Sequence, residues 1–124
     1  MNNLKEIKKV LLCKELGLRH DLIEGDVYDG DITLIRRKVS NILIKFSQLG
    51  IRKVNGWFNC SNNKLTSLEG CPEEVGRNFW CDNNNLTSIE GGLLTVGGNI
   101  WCNDNELILE RPEHCKIGGE FINE

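Results

Sequence analysis

Beyond residue 53 the apolar positions recur every 21 residues, not at the roughly 3.6-residue spacing of a helix face. Val54, Val75, Val96 and Ile117 are in phase, and so are Phe58, Phe79, Ile100 and Phe121. Cys60, Cys81 and Cys102 form a third row, and Leu65, Leu86 and Leu107 a fourth. Residues 54–74 (VNGWFNCSNNKLTSLEGCPEE) match residues 75–95 (VGRNFWCDNNNLTSIEGGLLT) at 10 of 21 positions, and these match residues 96–116 at 7 of 21. A partial copy, IGGEFINE, begins at Ile117. Within a copy the direction alternates, Phe79 and Cys81 to one side and Trp80 to the other, which predicts a short strand. Stacked in parallel at ~4.8 Å, about five such strands make a curved sheet of roughly 20 Å. The apolar and cysteine rows then lie inside. Asn63, Asn84 and Asn105 are expected to turn inward at the corner and hydrogen-bond the backbone of adjacent turns, because those buried peptide groups need partners.

A blurred copy lies upstream. GDITLIRRKVSNI (30–42) aligns without gaps on GWFNCSNNKLTSL (56–68), placing Gly30, Ile32, Leu34, Val39 and Ile42 on Gly56, Phe58, Cys60, Leu65 and Leu68. The offset is 26 residues, and the additional five fall in the return segment, where Leu43, Phe46 and Leu49 ahead of Gly50 predict a short helix. Residues 3–17 predict a longer one. Asn3 with Glu6 resembles a capping box, Leu4, Ile7 and Leu11 share a face that Leu12 and Leu16 extend, and Gly17 marks the stop. One turn of a repeat cannot bury its own face, so the array needs a cap. This helix is expected to supply it rather than to lie on a membrane. The organisation predicted is one domain: a helical cap (1–25), a divergent first repeat (26–53), three 21-residue repeats (54–116) and a partial terminal repeat (117–124). The last piece either ends the sheet or leaves an edge for a second subunit.

Each full copy has the shape hydrophobic-x-C-x-x-N-x-L-x-x-hydrophobic. Over residues 27–124 this resembles a leucine-rich repeat, with its L-x-x-L-x-L-x-x-N/C-x-L signature and about 20 to 29 residues per turn. It is similar to the short repeats of bacterial effector proteins and of small bacteriophage proteins. The resemblance implies an α/β-type solenoid, predominantly β, with its strands on a concave face. It also implies a role in binding a protein, in a phage by blocking or redirecting a host factor such as a defence enzyme, in the host cytoplasm. Two departures stand out. Gly76 and Gly97 occupy the place of the first consensus leucine, and Glu110 stands where Leu68 and Ile89 stood, which predicts a poorly closed last turn.

Composition narrows the classes. With 124 residues, 40% apolar, 27% charged, 13 Gly and 2 Pro, the chain is neither collagen-like nor of disordered composition. It has no apolar run long enough to span a membrane. Met1-Asn2-Asn3 opens no signal-peptide pattern, and six cysteines without one are expected to be reduced thiols in a cytoplasm. Residues 1–53 hold 11 Lys/Arg against 7 Asp/Glu, whereas residues 54–124 hold 4 against 11. The acidic larger half argues against a nucleic-acid partner, and Arg36-Arg37-Lys38 is the only basic run.

The sharpest candidate chemistry is aromatic. Trp57, Trp80 and Trp101 are expected to project from one strand face and to present roughly 500 Å² of apolar surface, more than a monomer normally leaves uncovered. Asn59, Asn78, Asn99, Asp82, Asn103, Asp104, Asp31 and Glu120 would form a polar and acidic rim, suited to a partner with a basic or amphipathic patch. The cysteine row reads as small buried hydrophobes rather than as zinc ligands or disulfides. The Asn/Asp runs around residues 62, 83 and 104 offer too few carboxylates for calcium. His20 and His114-Cys115 lack a convergent base and orienting group. The expectation is a non-catalytic module without cofactor or metal. Stacking of a sugar or other small molecule on the tryptophans, and self-association, are the alternatives.

Overall fold

The computed structural model describes residues 3–35, 41–106 and 109–124. The basic run Arg36-Arg37-Lys38, Val39 of the blurred copy and Leu107 of the leucine row lie outside the described residues. The chain begins with helix α1 (Asn3–Leu16), a single 3-10 turn (His20–Leu22), and the hairpin β1 (Ile23–Glu24) and β2 (Val27–Tyr28). Then come β3 (Ile32–Thr33), helix α2 (Ile42–Ser47), β4 (Lys53–Val54), β5 (Phe58–Asn59), β6 (Glu74–Val75) and β7 (Phe79–Trp80). The last four strands are β8 (Thr95–Val96), β9 (Ile100–Trp101), β10 (Lys116–Ile117) and β11 (Phe121–Ile122).

These strands build a predominantly β, parallel-sheet solenoid with an N-terminal helix. The predicted five-stranded sheet is present, in the order β3-β5-β7-β9-β11 and parallel throughout. A second sheet was not expected. Its order is β1-β2-β4-β6-β8-β10, parallel apart from the antiparallel β1–β2 pair that covers its first edge. Each turn therefore carries two short strands instead of one. The register follows the sequence alignment: Phe58 pairs with Phe79 and Phe79 with Ile100, while Ile32 pairs with Phe58 across the longer first turn.

The Gly departures from the consensus sit at the corner between the sheets. A Cβ on Gly76 or Gly97 would lie 2.2 Å from the carbonyl oxygen of Asn55 or Gly76 in the preceding turn. Only glycine lets the backbones approach that closely. Gly76 and Gly97 in turn donate their N–H groups to the Val54 and Val75 carbonyls at 2.8 Å.

Over the full turns the described residues of the rows fill the interior as predicted, while Ile117 and Phe121 at the end of the stack are half-buried. Phe58, Phe79 and Ile100 are fully buried, with Phe58 and Phe79 stacked at 5.6 Å. Phe46 of α2 meets Phe58 edge-on at 5.1 Å, so the predicted short helix fills the larger first turn. Cys60, Cys81 and Cys102 are wholly buried, and all six cysteines are free thiols. In the last full turn the apolar position shifts by one residue. Leu109 is buried in place of Glu110, which faces solvent.

The corner asparagines form the expected ladder. Asn84 Nδ2 donates to the Cys60, Cys81 and Asp82 carbonyls, and its Oδ1 accepts from the Asn63 and Leu65 N–H groups. The preceding residues Asn62 and Asn83, with Asp104, adopt φ of 59°, 54° and 55°. Asn and Asp tolerate that left-handed conformation best among non-glycine residues. The Asn/Asp runs thus serve backbone geometry.

The expected N-terminal helix is present, but the face by which α1 docks needs correction. Gly17 ends it as predicted, at φ 74°, with Leu18 N–H reaching back to the Cys13 carbonyl. Yet Leu4, Ile7 and Leu11 remain 63%, 53% and 59% exposed, while Cys13 and Leu16 are buried. At about 100° per residue the two sets lie on opposite sides of the helix. It therefore docks by its C-terminal half, on the side where Leu16 and the half-buried Leu12 extend the predicted face and opposite Leu4, Ile7 and Leu11. Glu6 meets His20 Nε2 at 2.7 Å.

Candidate functional site

In the five-stranded sheet the outward positions run Thr33, Asn59, Trp80, Trp101 and Ile122 from one strand to the next. Alternation along β5, β7 and β9 sends Phe58, Phe79 and Ile100 inward, so their successors must face out. Trp57 precedes β5, and its ring reaches along the same face. It meets Trp80 edge-to-face, with centroids 6.0 Å apart and planes at 80°. Its Nε1 donates to Thr33 Oγ1 at 3.2 Å. The three predicted tryptophans are thus brought together: Trp57 touches Trp80, and Trp80 lies beside Trp101 in register.

Their exposure is smaller than the sequence suggests. Trp57 is 37% exposed, and Trp80 and Trp101 are half-buried. The uncovered aromatic area is therefore well below the roughly 500 Å² expected of three open indoles. Trp101 turns its Nε1 into the protein, where that atom is buried without a hydrogen-bond partner among the described residues. A buried indole N–H normally finds one.

Most of the expected polar rim is occupied in holding turns together. Asn78 Oδ1 accepts the Asn99 N–H and Asn99 Oδ1 the Glu120 N–H, both at 2.8 Å. Asp82 Oδ1 accepts the Asn103 N–H, and Asn103 Oδ1 the Glu124 N–H, both at 2.7 Å. Asp31 Oδ1 does the same for the Trp57 N–H at 2.9 Å, and Asn59 Oδ1 accepts from Ser61 within its own turn. Asp104 and Glu120 remain exposed. Burial pushes the Asp82 carboxyl up from its ordinary value, against the lowering effect of the Asn103 N–H. These staples have a sequence signal: Asn78/Asn99 and Asp82/Asn103 stand one period apart, as structural columns do. Thr33, which anchors Trp57, carries no such mark.

The thiols are unsuited to nucleophilic work. Burial raises all six, with Cys71 and Cys102 pushed up to about 12. Cys60, Cys81 and Cys102 direct their sulfurs at the carbonyls of Trp80, Trp101 and Ile122, at 3.5, 3.5 and 3.4 Å. Among the described residues, no three His, Cys, Asp or Glu side chains are grouped to hold a metal. Among the same residues, no helix is long and apolar enough to cross a membrane.

Fold and face together define a parallel β-solenoid with an aromatic cluster on one sheet. No protein-family model, curated protein or solved structure matches the chain.

Proposed function

We propose that this solenoid is a non-catalytic module that binds another protein through the tryptophan face. The observation that carries the reading is the gathering of all three tryptophans of the chain on one sheet face, with Trp57 and Trp80 in edge-to-face contact. Tryptophan is enriched among residues that dominate interface energetics. Crossed rings at 80° suit an irregular protein surface better than a flat sugar, which stacks on open parallel faces. The excess of acids over residues 54–124 favours a partner with a basic or amphipathic patch. A host factor as that partner is what the likeness to short effector and phage repeats implies.

The tryptophans also provide the test. A partner captured by cross-linking from cell extract is titrated against the protein while its intrinsic emission is followed. The expected result is a change in tryptophan emission, together with a loss of about thirtyfold in affinity for Trp57→Ala. Full binding by Trp57→Ala with unaltered emission of the wild type would place the contact elsewhere.

A further inference from the structure

Helix α1 is apolar on two opposite sides, and the solenoid covers only one. Beside the uncovered stripe runs an open cleft of about 710 Å³, between α1 and residues 47–50 at the end of α2. That volume lies within the roughly 300–1,000 Å³ of ligand-binding clefts. Exposed Leu11 and half-buried Leu12 furnish its apolar surface above the buried Leu49, and Lys8 and Lys9 line it as well.

The charge of the cleft is one-sided. Glu6 is engaged by His20, and Glu15, the one acid lining the cleft, accepts from Lys45 Nζ at 2.5 Å. Lys8 and Lys9 have no ion-pair partner among the described residues. Ammonium groups beside an apolar wall match a ligand that is both anionic and apolar. The acidic repeats lie further along the stack, at ~4.8 Å per turn. The farther ones are beyond the ~8–10 Å screening length and do not cancel this field. Two macromolecular classes carry such chemistry, an acidic peptide and an anionic bilayer. A recessed cleft between two elements admits a chain segment, whereas a bilayer needs a helix face lying in its plane. The apolar stripe continues past the cleft through Ile7 and Leu4, along a helix of about 21 Å. That track suits a peptide better than a compact anion.

We propose that this cleft binds an acidic amphipathic segment of a partner protein, its carboxylates on Lys8 and Lys9 and its apolar side chains on Leu11 and Leu12. The site is independent of the tryptophan face. The test pans a displayed library of random peptides, each as long as α1, against the whole chain. Enriched peptides should carry Asp or Glu and Leu or Ile at helical spacing, and should bind more weakly as salt rises. Their affinity should fall about tenfold or more in Lys8→Glu/Lys9→Glu and in Leu11→Ser, and stay unchanged in Trp57→Ala. Leu11 is exposed, so Leu11→Ser should melt with the wild type. If it does not, the lysine pair decides. Absence of enrichment, enrichment of neutral or basic peptides, or binders indifferent to the lysine pair would overturn the proposal. So would tighter sedimentation with phosphatidylserine vesicles than with any selected peptide, lost in the same variants.

Discussion

Replacing Asn84 by alanine tests how the turns are joined. The side chain is 95% buried, with 5% relative exposure, and takes part in five hydrogen bonds to backbone. The carbonyls it serves are partly covered already, since Asn63 Nδ2 also reaches the Cys60 oxygen and Asn105 Nδ2 the Cys81 oxygen. The main loss is on the acceptor side, where the buried N–H groups of Asn63 and Leu65 lose the oxygen to which both donate. An orphaned buried donor costs about 1–3 kcal/mol, so the pair plus the lost donor bonds amounts to about 3–5 kcal/mol. For a chain of this length that corresponds to a fall of about 10–20 °C in the thermal midpoint. Asn105 is the internal control. It is half-buried, and among the described residues its Oδ1 serves the Leu86 N–H alone, so Asn105→Ala should cost about 1–2 kcal/mol. Urea denaturation monitored by far-UV circular dichroism measures both. Equal losses for the two variants, or a loss below about 1 kcal/mol for Asn84→Ala, would refute the idea that the corner ladder holds the turns in register.

Two further outcomes follow from the same geometry. Gly97→Ala should fail to give a cooperative melt, because its Cβ would sit 2.2 Å from the Gly76 carbonyl oxygen, a backbone atom. Gly25→Ala, at φ +63° with nothing near, should cost only about 1–2 kcal/mol. Asp82→Asn should raise the thermal midpoint at neutral pH. Burial disfavours the charged form and raises the folded carboxyl, so the folded state holds its proton more tightly than the unfolded one. The penalty is full above the folded pKa and is relieved as pH falls through it. The advantage of the asparagine, which keeps the acceptor for Asn103 N–H, should therefore vanish in acid. A constant advantage across the pH series would assign the effect to something other than titration.

Much of the fold is legible because a repeat reports the same environment several times. Phe58, Phe79 and Ile100 each test one inward position, and the Cys row and the corner asparagines do likewise. The second sheet is hidden because each turn gives it one inward side chain, Val54, Val75 or Val96, followed two residues on by Gly56, Arg77 or Gly98, whereas the first sheet has Cys60, Cys81 and Cys102 there to show an alternation. Helix α1 has no such redundancy. Its spacing identifies an apolar stripe, but a lone amphipathic helix does not say which side meets the body, and Cys13 and Leu16 prevail over Leu4, Ile7 and Leu11. At the candidate site, residue type and direction place the tryptophans together. The sequence pattern does not distinguish a polar side chain that meets solvent from one that accepts the next turn's N–H, which is why Asn78, Asn99, Asp82 and Asn103 look like a rim.

The staples all run between equivalent positions, and this makes the length of the protein a heritable variable of its own. If residues 75–95 were deleted in frame, the turn at Val96 would meet the turn at Val54. Asn105 Oδ1 would then face the Asn63 and Leu65 N–H groups that Asn84 now serves, and Ser61 Oγ, which accepts the Asp82 N–H at 3.1 Å, would face that of Asn103. Duplication of the same segment would add a turn by the same matching. Loss or gain of a whole 21-residue copy is therefore a conservative change for the backbone and a drastic one for the aromatic face, which gains or loses a whole tryptophan per event. In such a molecule the reach of the recognition surface is set by copy number, in steps of 21 codons.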